Sequence, residues 1–326
     1  MGGTEITAIA ILAAAFILDL LIGDPRWIPH PVIGMGKAIK GTEAWIRRSF
    51  RPENLKKAGV LLPVLIVGGS FAITWAALKL LAWVHPWLAW AAEAVLIATT
   101  IAVKGLKDAG LEIYHHLQKG DLPAARTSLS MIVGRETSHL DEPEIVRGTV
   151  ETVAENIVDA VISPLLYALI GGAPLAMAYR AVNTLDSMVG YKNEKYKDLG
   201  WASARFDDLA NWIPARLTGL LLTLSAWILQ LDCRNAFRMI QRDAKKHPSP
   251  NSGFPESAVA GALGIRLGGT NVYHGVTSFR AYMGDATRPM EAHDILLTNR
   301  LLLTVSVLFV VFAVLVVWGS RGTLWI

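Results

Sequence analysis

The sequence predicts an all-α, polytopic integral membrane protein with about four to six membrane helices, some of them candidates for re-entrant segments, and large polar cytoplasmic loops. Three observations predict it. The 326 residues are 52% hydrophobic and 18% charged, with a mean hydropathy of +0.39, well above that of a water-soluble domain. Ala58–Leu78, Ala160–Tyr179 and Leu301–Ser320 each run about 20 residues without an ionisable side chain, enough helix to cross roughly 30 Å of hydrocarbon. Lys and Arg cluster beside these runs, where they anchor topology and meet anionic lipid. The net charge of +4 is therefore read as membrane anchoring, and nucleic acid is excluded as a partner. A lone cysteine, Cys233, rules out an intramolecular disulfide and a cysteine-based zinc site.

In chain order, a first helix is expected over about Glu5 to Ile22. It lacks a basic start and an Ala-x-Ala cleavage pattern, so it reads as retained rather than as a signal peptide. Gly23-Asp24-Pro25 stops it, because proline has no amide donor and restricts the residue before it. From Arg26 to Lys57 the chain carries Lys37, Lys40, Arg47, Arg48, Arg51, Lys56 and Lys57 against Glu43 and Glu53, which places this stretch in the cytoplasm and the N-terminus outside. Ala58–Leu78 and Leu80–Val103 form an out-and-back pair turning near His85-Pro86, with Trp83, Trp87 and Trp90 at the interface and Glu93 as a packed intramembrane acid. Residues 104–156 are polar with helical patterning. Glu151, Glu155 and Asp159 recur every four residues, on one helix face. Ala160–Tyr179 contains Pro164, Gly171, Gly172 and Pro174, the breaker pattern of a discontinuous segment; neither it nor the short apolar run Leu217–Leu231 is assigned a full crossing. Leu301–Ser320 closes the chain as a span. The whole is read as one membrane-embedded domain, 1–326, with polar loops at about 23–57, 104–156, 180–211 and 232–300 and no internal repeat.

Four polar constellations could carry chemistry: Gly23-Asp24-Pro25 with His30-Pro31; Arg135-Glu136-Thr137 continuing to Glu151, Glu155, Asn156 and Asp159; Tyr179-Arg180 through Asn183 and Asp186 to Arg205, Asp207, Asp208 and Asn211; and His247 through Gly253 with Glu256 and Arg266. Asp207, Asp208 and Asn211, beside Arg205 and Arg216, are hard oxygen ligands next to guanidinium groups, the combination that suits Mg²⁺ bridging a phosphate; the same pattern also serves as an ordinary helix cap. Glu151, Glu155 and Asp159 are candidates for a second metal contact or a general base, or for a solvated helix face. Arg180, Asn183 and Asp186 follow the discontinuous segment. His247-Pro248-Ser249-Pro250-Asn251-Ser252-Gly253, with Glu256 and Arg266, makes a rigid loop that can cradle a phosphate or a propionate. No P-loop, dinucleotide fingerprint or nucleophile elbow is present.

Leu18-Asp19 through Gly23-Asp24-Pro25-Arg26, Pro29-His30-Pro31-Val32, Arg135-Glu136-Thr137, Glu151 through Asn156, Tyr179 through Asp186, Arg205-Phe206-Asp207-Asp208 and His247 through Asn251 together resemble the CobD/CbiB family of adenosylcobinamide-phosphate synthases, from about residue 10 to about residue 300. The resemblance implies cobalamin biosynthesis. It implies joining a propionate carboxyl of adenosylcobyric acid, a corrinoid substrate, to the amine of (R)-1-amino-2-propanol phosphate or free aminopropanol, with ATP and Mg²⁺ for activation, in the cytoplasmic membrane. A carboxylate does not react with an amine until its oxygen becomes a leaving group, and phosphoryl transfer needs metal and cationic clamps. On this reading Glu151, Glu155 and Asp186 are catalytic candidates, Arg180, Asn183, Arg205, His247, Ser249 and Asn251 hold substrate and phosphate, and Asp207, Asp208 and Asn211 hold the metal. The lipid bilayer, a second copy of the chain and other enzymes of the pathway are the partners considered. Two alternatives come from other classes. A Mg²⁺-dependent prenyl or phosphoalcohol transferase would need a second aspartate motif that Asp186 with Asp198 does not supply, and a transporter or sensor would concentrate its ionisable residues at mid-membrane.

Overall fold

The computed structural model describes residues 3–23, 30–273 and 275–319, so Asp24, Pro25, Arg26 and Pro29 of the first motif, and Ser320, lie outside the described residues. The helices are α1 (Gly3–Leu21), α2 (Pro31–Ser49), α3 (Leu55–Ala58), α4 (Leu61–Val84), α5 (Pro86–Ala98), α6 (Val103–Gln118), α7 (Leu122–Ser130), α8 (Glu142–Ile157), α9 (Ser163–Val189), α10 (Trp201–Ala210), α11 (Trp212–Ile228), α12 (Cys233–Asp243), α13 (Gly253–Leu263) and α14 (His293–Gly319). A short antiparallel hairpin, β1 (Leu267–Tyr273) and β2 (Val276–Met283), interrupts them. The protein is an all-α polytopic membrane protein. Pro52–Val84, Pro86–Gln118, Glu142–Val189 and His293–Gly319 are long and apolar enough to cross a membrane, while Ile6–Leu21 and Trp212–Ile228 are shorter apolar helices.

The stretches expected as polar loops are largely helical. α2 starts at Pro31, whose fixed φ suits a first turn, and the His30 Nδ1 atom accepts the Val32 amide at 3.2 Å as an N-cap. Its face Met35, Ile39 and Ile46 is buried. α8 opens with a capping box in which Asp141 and Glu144 satisfy each other's backbone amides. Such helices carry few apolar residues each, and their charged faces hide the period that marks them.

The chain divides into two compact units. The first comprises Met1–Ala102, Ser163–Asn211 and Val310–Ile326; the second comprises Val103–Ile162 and Trp212–Phe309. In the first, α9 packs on α4, α5, α2 and α10, and α1 packs on α5. Ile39, Ile46, Leu62, Leu185 and Leu199 form its fully buried centre. α9 is not continuous. Gly171 and Gly172 leave helical geometry, and Gly172 takes φ 62° and ψ −159°, a region open only to glycine. The break frees the Ala173 amide, which donates to the Glu93 carboxylate at 3.2 Å. The acid inside the apolar α5 thus satisfies a backbone group that the break would otherwise strand in a medium without water.

In the second unit α13 lies against α12, α11 and α8, and α6 and α7 flank α8. α12 and α13 approach so closely that a Cβ on Gly261 would sit 2.6 Å from the Asn235 carbonyl. The hairpin is fastened to α8 by side chains: Arg147 donates to the Gly268 and Thr270 carbonyls at 2.8 and 3.0 Å, and Glu151 accepts the Gly268 amide at 2.8 Å. Between α8 and α9, Val158–Ile162 forms one π-helical turn.

Candidate functional site

The densest polar cluster of the second unit surrounds a cavity of about 130 Å³ lined by Arg135, Glu151, Glu155, Asn156, Tyr273 and Arg280 together with Ile132, Val133, Gly134 and Thr152. Glu151, Thr152, Glu155 and Asn156 come from one face of α8, as a spacing of three and four residues requires. Asp159, expected on the same face, does not line it, because the π-turn beginning at Val158 widens the helix and changes the phase at that residue.

The two glutamates have different surroundings. Glu151 is 3% exposed and fully engaged: Oε2 accepts from Arg135 Nη2 at 2.7 Å, and Oε1 accepts from the Gly268 amide at 2.8 Å and from Arg147 Nη1 at 3.4 Å. Arg135 is fixed in turn by Asn271 Oδ1. A carboxylate held by two guanidinium groups and an amide has its oxygens engaged and serves as a structural anchor. Glu155 accepts a single side-chain hydrogen bond, from the Ser252 hydroxyl at 2.8 Å, and keeps acceptor capacity toward the cavity. Of the two expected bases, Glu155 has the geometry of one.

The loop from His247 meets this cluster through Ser252, while its other polar side chains hold the loop itself. The Ser249 amide donates to His247 Nδ1 at 3.0 Å, and Ser249 Oγ accepts the amides of Asn251 and Ser252 at 3.2 and 3.4 Å. Asn251 Oδ1 accepts from Arg216 Nη1 at 3.4 Å, and that guanidinium also covers the Trp212 and Phe254 rings. His247, Ser249 and Asn251 were expected to bind substrate; two prolines give the loop so few internal backbone bonds that its side chains supply them instead. Because His247 Nδ1 accepts an amide, the proton of the neutral ring sits on Nε2, 3.6 Å from Glu256 Oε1. Burial pushes Glu256 well above the usual carboxylate range, reinforced by the Glu151 and Glu155 charges, and burial likewise lowers His247. Both shifts favour the uncharged form of each partner.

Sequence reading missed Arg280 and Tyr273, which reach the cavity from the hairpin. Arg280 Nη2 donates to the Tyr273 hydroxyl at 3.2 Å, and among the described residues it forms no ion pair. Nothing in an expected polar loop distinguishes one arginine; only the strand pairing of Gly269 with Arg280 carries it to α8.

The first unit holds the remaining candidates. On α9, Arg180, Asn183 and Asp186 are partly exposed and recur every three residues, and Arg180 Nε finds no hydrogen-bond acceptor among the described residues. On α10, Arg205 is exposed and lies 3.8 Å from Asp208 Oδ2. Burial pushes the Asp208 carboxyl above its ordinary range, against the pull of Arg205 and Lys192. Asn211 does not fit a metal ligand. It is 1% exposed, its Oδ1 accepts from the Ser163 and Tyr179 hydroxyls at 2.5 and 2.8 Å, and its Nδ2 donates to Asp207 Oδ2 at 3.0 Å. Both lone pairs of the amide oxygen are taken. Among the described residues no three His, Cys, Asp or Glu side chains gather as a metal cage would need. What remains of the expected metal set is Asp207 with Asp208, consecutive residues of α10, of which Asp207 already accepts from Asn211.

The family model described as CobD/Cbib protein matches residues 12–302. The cobalamin biosynthesis protein CobD of Geobacter metallireducens is 52% identical over 304 residues, 93% of this chain and 95% of the relative. The protein of the same name from Halalkalibacterium halodurans is 53% identical over 288 residues, 87% and 88% of the two chains. The cobalamin biosynthesis protein CbiB of Salmonella typhimurium is 45% identical over 309 residues, 94% and 97%. No solved structure matches.

Proposed function

Because the chain belongs to the CobD/CbiB family and so to cobalamin biosynthesis, we propose that it is an ATP-dependent, amide-forming ligase, joining a propionate carboxyl of adenosylcobyric acid to the amine of (R)-1-amino-2-propanol phosphate or aminopropanol. The observation that carries this reading is Glu155, a carboxylate on a buried polar cavity with acceptor capacity left. An ammonium is not a nucleophile until it loses a proton, and Glu155 is the group that takes it. Mg²⁺-ATP, when bound, supplies the phosphoryl group that makes the propionate oxygen a leaving group. Within the first unit, Asp207 and Asp208 are the candidates to hold that metal and Arg205 and Arg180 to contact phosphate, with Asn183 and Asp186 as polar groups beside Arg180; Glu155 belongs to the second unit. The amide bond then forms as the acyl–oxygen bond breaks and the phosphate departs with the second amine proton, while Glu155 keeps the first. Glu151 positions the hairpin and Arg135.

The test is direct. Protein purified in detergent, given adenosylcobyric acid, aminopropanol phosphate, ATP and Mg²⁺, yields a corrinoid heavier by the aminopropanol phosphate unit less water, detected by mass spectrometry, with one ADP per product. An unchanged corrinoid with an active-site-intact, folded protein refutes the ligase.

A further inference from the structure

Resting on the ligase reading, we propose that the cavity between α8 and the hairpin is the amine subsite, in which Arg280 holds the anionic end of a small zwitterion and Glu155 its ammonium end. Three observations carry it. The cavity, about 130 Å³, is smaller than the roughly 300–1,000 Å³ of pockets that take drug-sized ligands; it is too small to enclose a nucleotide or a corrinoid and matches a molecule of a few heavy atoms. Its walls carry both signs of charge. With Arg147, which pairs with Glu151, the cluster has the guanidinium groups of Arg135, Arg147 and Arg280 against the carboxylates of Glu151 and Glu155.

The third observation is how those charges are used. Arg135 and Arg147 are occupied by Glu151, by Asn271 and by hairpin carbonyls. Arg280 has only the neutral Tyr273 hydroxyl as its side-chain hydrogen-bond partner, and no ion pair, among the described residues. A half-buried guanidinium with unused donors beside a cavity is the group that a phosphate oxygen pair satisfies in bidentate fashion. The amine class is therefore an aminoalkyl phosphate rather than the free amino alcohol: one end needs two acceptor oxygens for Arg280, the other an N–H donor for Glu155. Arg280 is a specificity-determining residue on this view, and Tyr273 aims it.

The experiment measures binding of aminopropanol phosphate, aminopropanol and inorganic phosphate, by titration calorimetry, to the full protein in detergent without ATP. The wild type is expected to prefer the phosphorylated amine. Arg280→Gln weakens that ligand about ten- to a hundredfold, the worth of a charge-assisted hydrogen bond, and changes aminopropanol binding less than about twofold. Glu155→Gln weakens both amines and leaves inorganic phosphate unchanged. If Arg280→Gln does not fold, Arg280→Lys decides: it keeps the charge, loses the fork, and should still narrow the preference. Preference for the phosphorylated amine unaltered in the folded Arg280 variant overturns the subsite while product formation by the wild type keeps the ligase reading. Absence of both amine binding and product in the folded wild type ends both.

Discussion

Glu151 and Glu155 stand one helical turn apart, and their sequence spacing shows that they share a face. It does not show that Glu151 is tied to Gly268, more than a hundred positions later, or that Arg135 and Arg147 are there for it. Removing one partner of such a buried network leaves an uncompensated charge. Glu151→Ala is therefore expected to cost about 3–5 kcal/mol, read as a lowered unfolding temperature in detergent. Glu256 has the opposite character. Its folded pKa is raised by burial, so the folded state keeps a proton that the unfolded state gives up. The associated stability is present below the ordinary glutamate pKa and is lost as pH rises toward the raised value. Glu256→Gln, neutral throughout, should flatten the decline in unfolding temperature as pH rises above the ordinary glutamate pKa; an identical slope in both proteins would show that Glu256 ionises normally. His247, lowered by burial, acts the other way, its stability present above the ordinary histidine pKa and lost on acidification. The slope below pH 6 should survive the Glu256 change.

At the scale of elements, proline and glycine were the legible signals. Gly171 and Gly172 mark a real break in α9, and Glu93 lies where the break needs an acceptor. A Cβ on Gly172 would fall 2.2 Å from Glu93 Oε1 and would demand a positive φ of a residue with a side chain. Gly172→Ala is expected to destabilise by about 1–3 kcal/mol from the backbone alone, with Glu93→Gln tolerated better than Glu93→Ala because the amide oxygen can still accept. Thermal unfolding of the three variants checks the order. The hairpin was not legible. Leu267–Tyr273 holds two consecutive glycines in seven residues, a weak strand on propensity, and it forms because Arg147 and Glu151 bind its backbone from α8. A strand stabilised by distant side chains leaves no periodic trace of its own. The π-turn at Val158–Ile162 was equally silent, since its consequence is a shift of phase at Asp159 rather than a change of composition.

For the whole molecule, hydropathy identified the membrane-length helices, and the charge bias predicts their sidedness. The positive loops predict that Lys119, at the end of α6, faces the cytoplasm. With Cys233 replaced by serine, a Lys119→Cys protein in intact cells should resist impermeant maleimide until the membrane is opened; labelling from outside would reverse the topology. What hydropathy could not reveal is how the chain is divided. It leaves the first unit after Ala102, returns at Ser163, leaves again after Asn211 and returns only at Val310, within α14. Neither unit is a contiguous piece of the gene, so no cut in the chain yields a complete one. During synthesis the opening segment of the first unit must persist in the bilayer until its last piece emerges, about 10–40 s later at ribosomal speeds of roughly 5–20 residues per second. Over that interval α1, α4 and α5 have one another but not the helix that completes them. This makes the nascent protein a client for whatever guards unfinished helices in the membrane, and it makes loss of the last helix a lesion of both units at once.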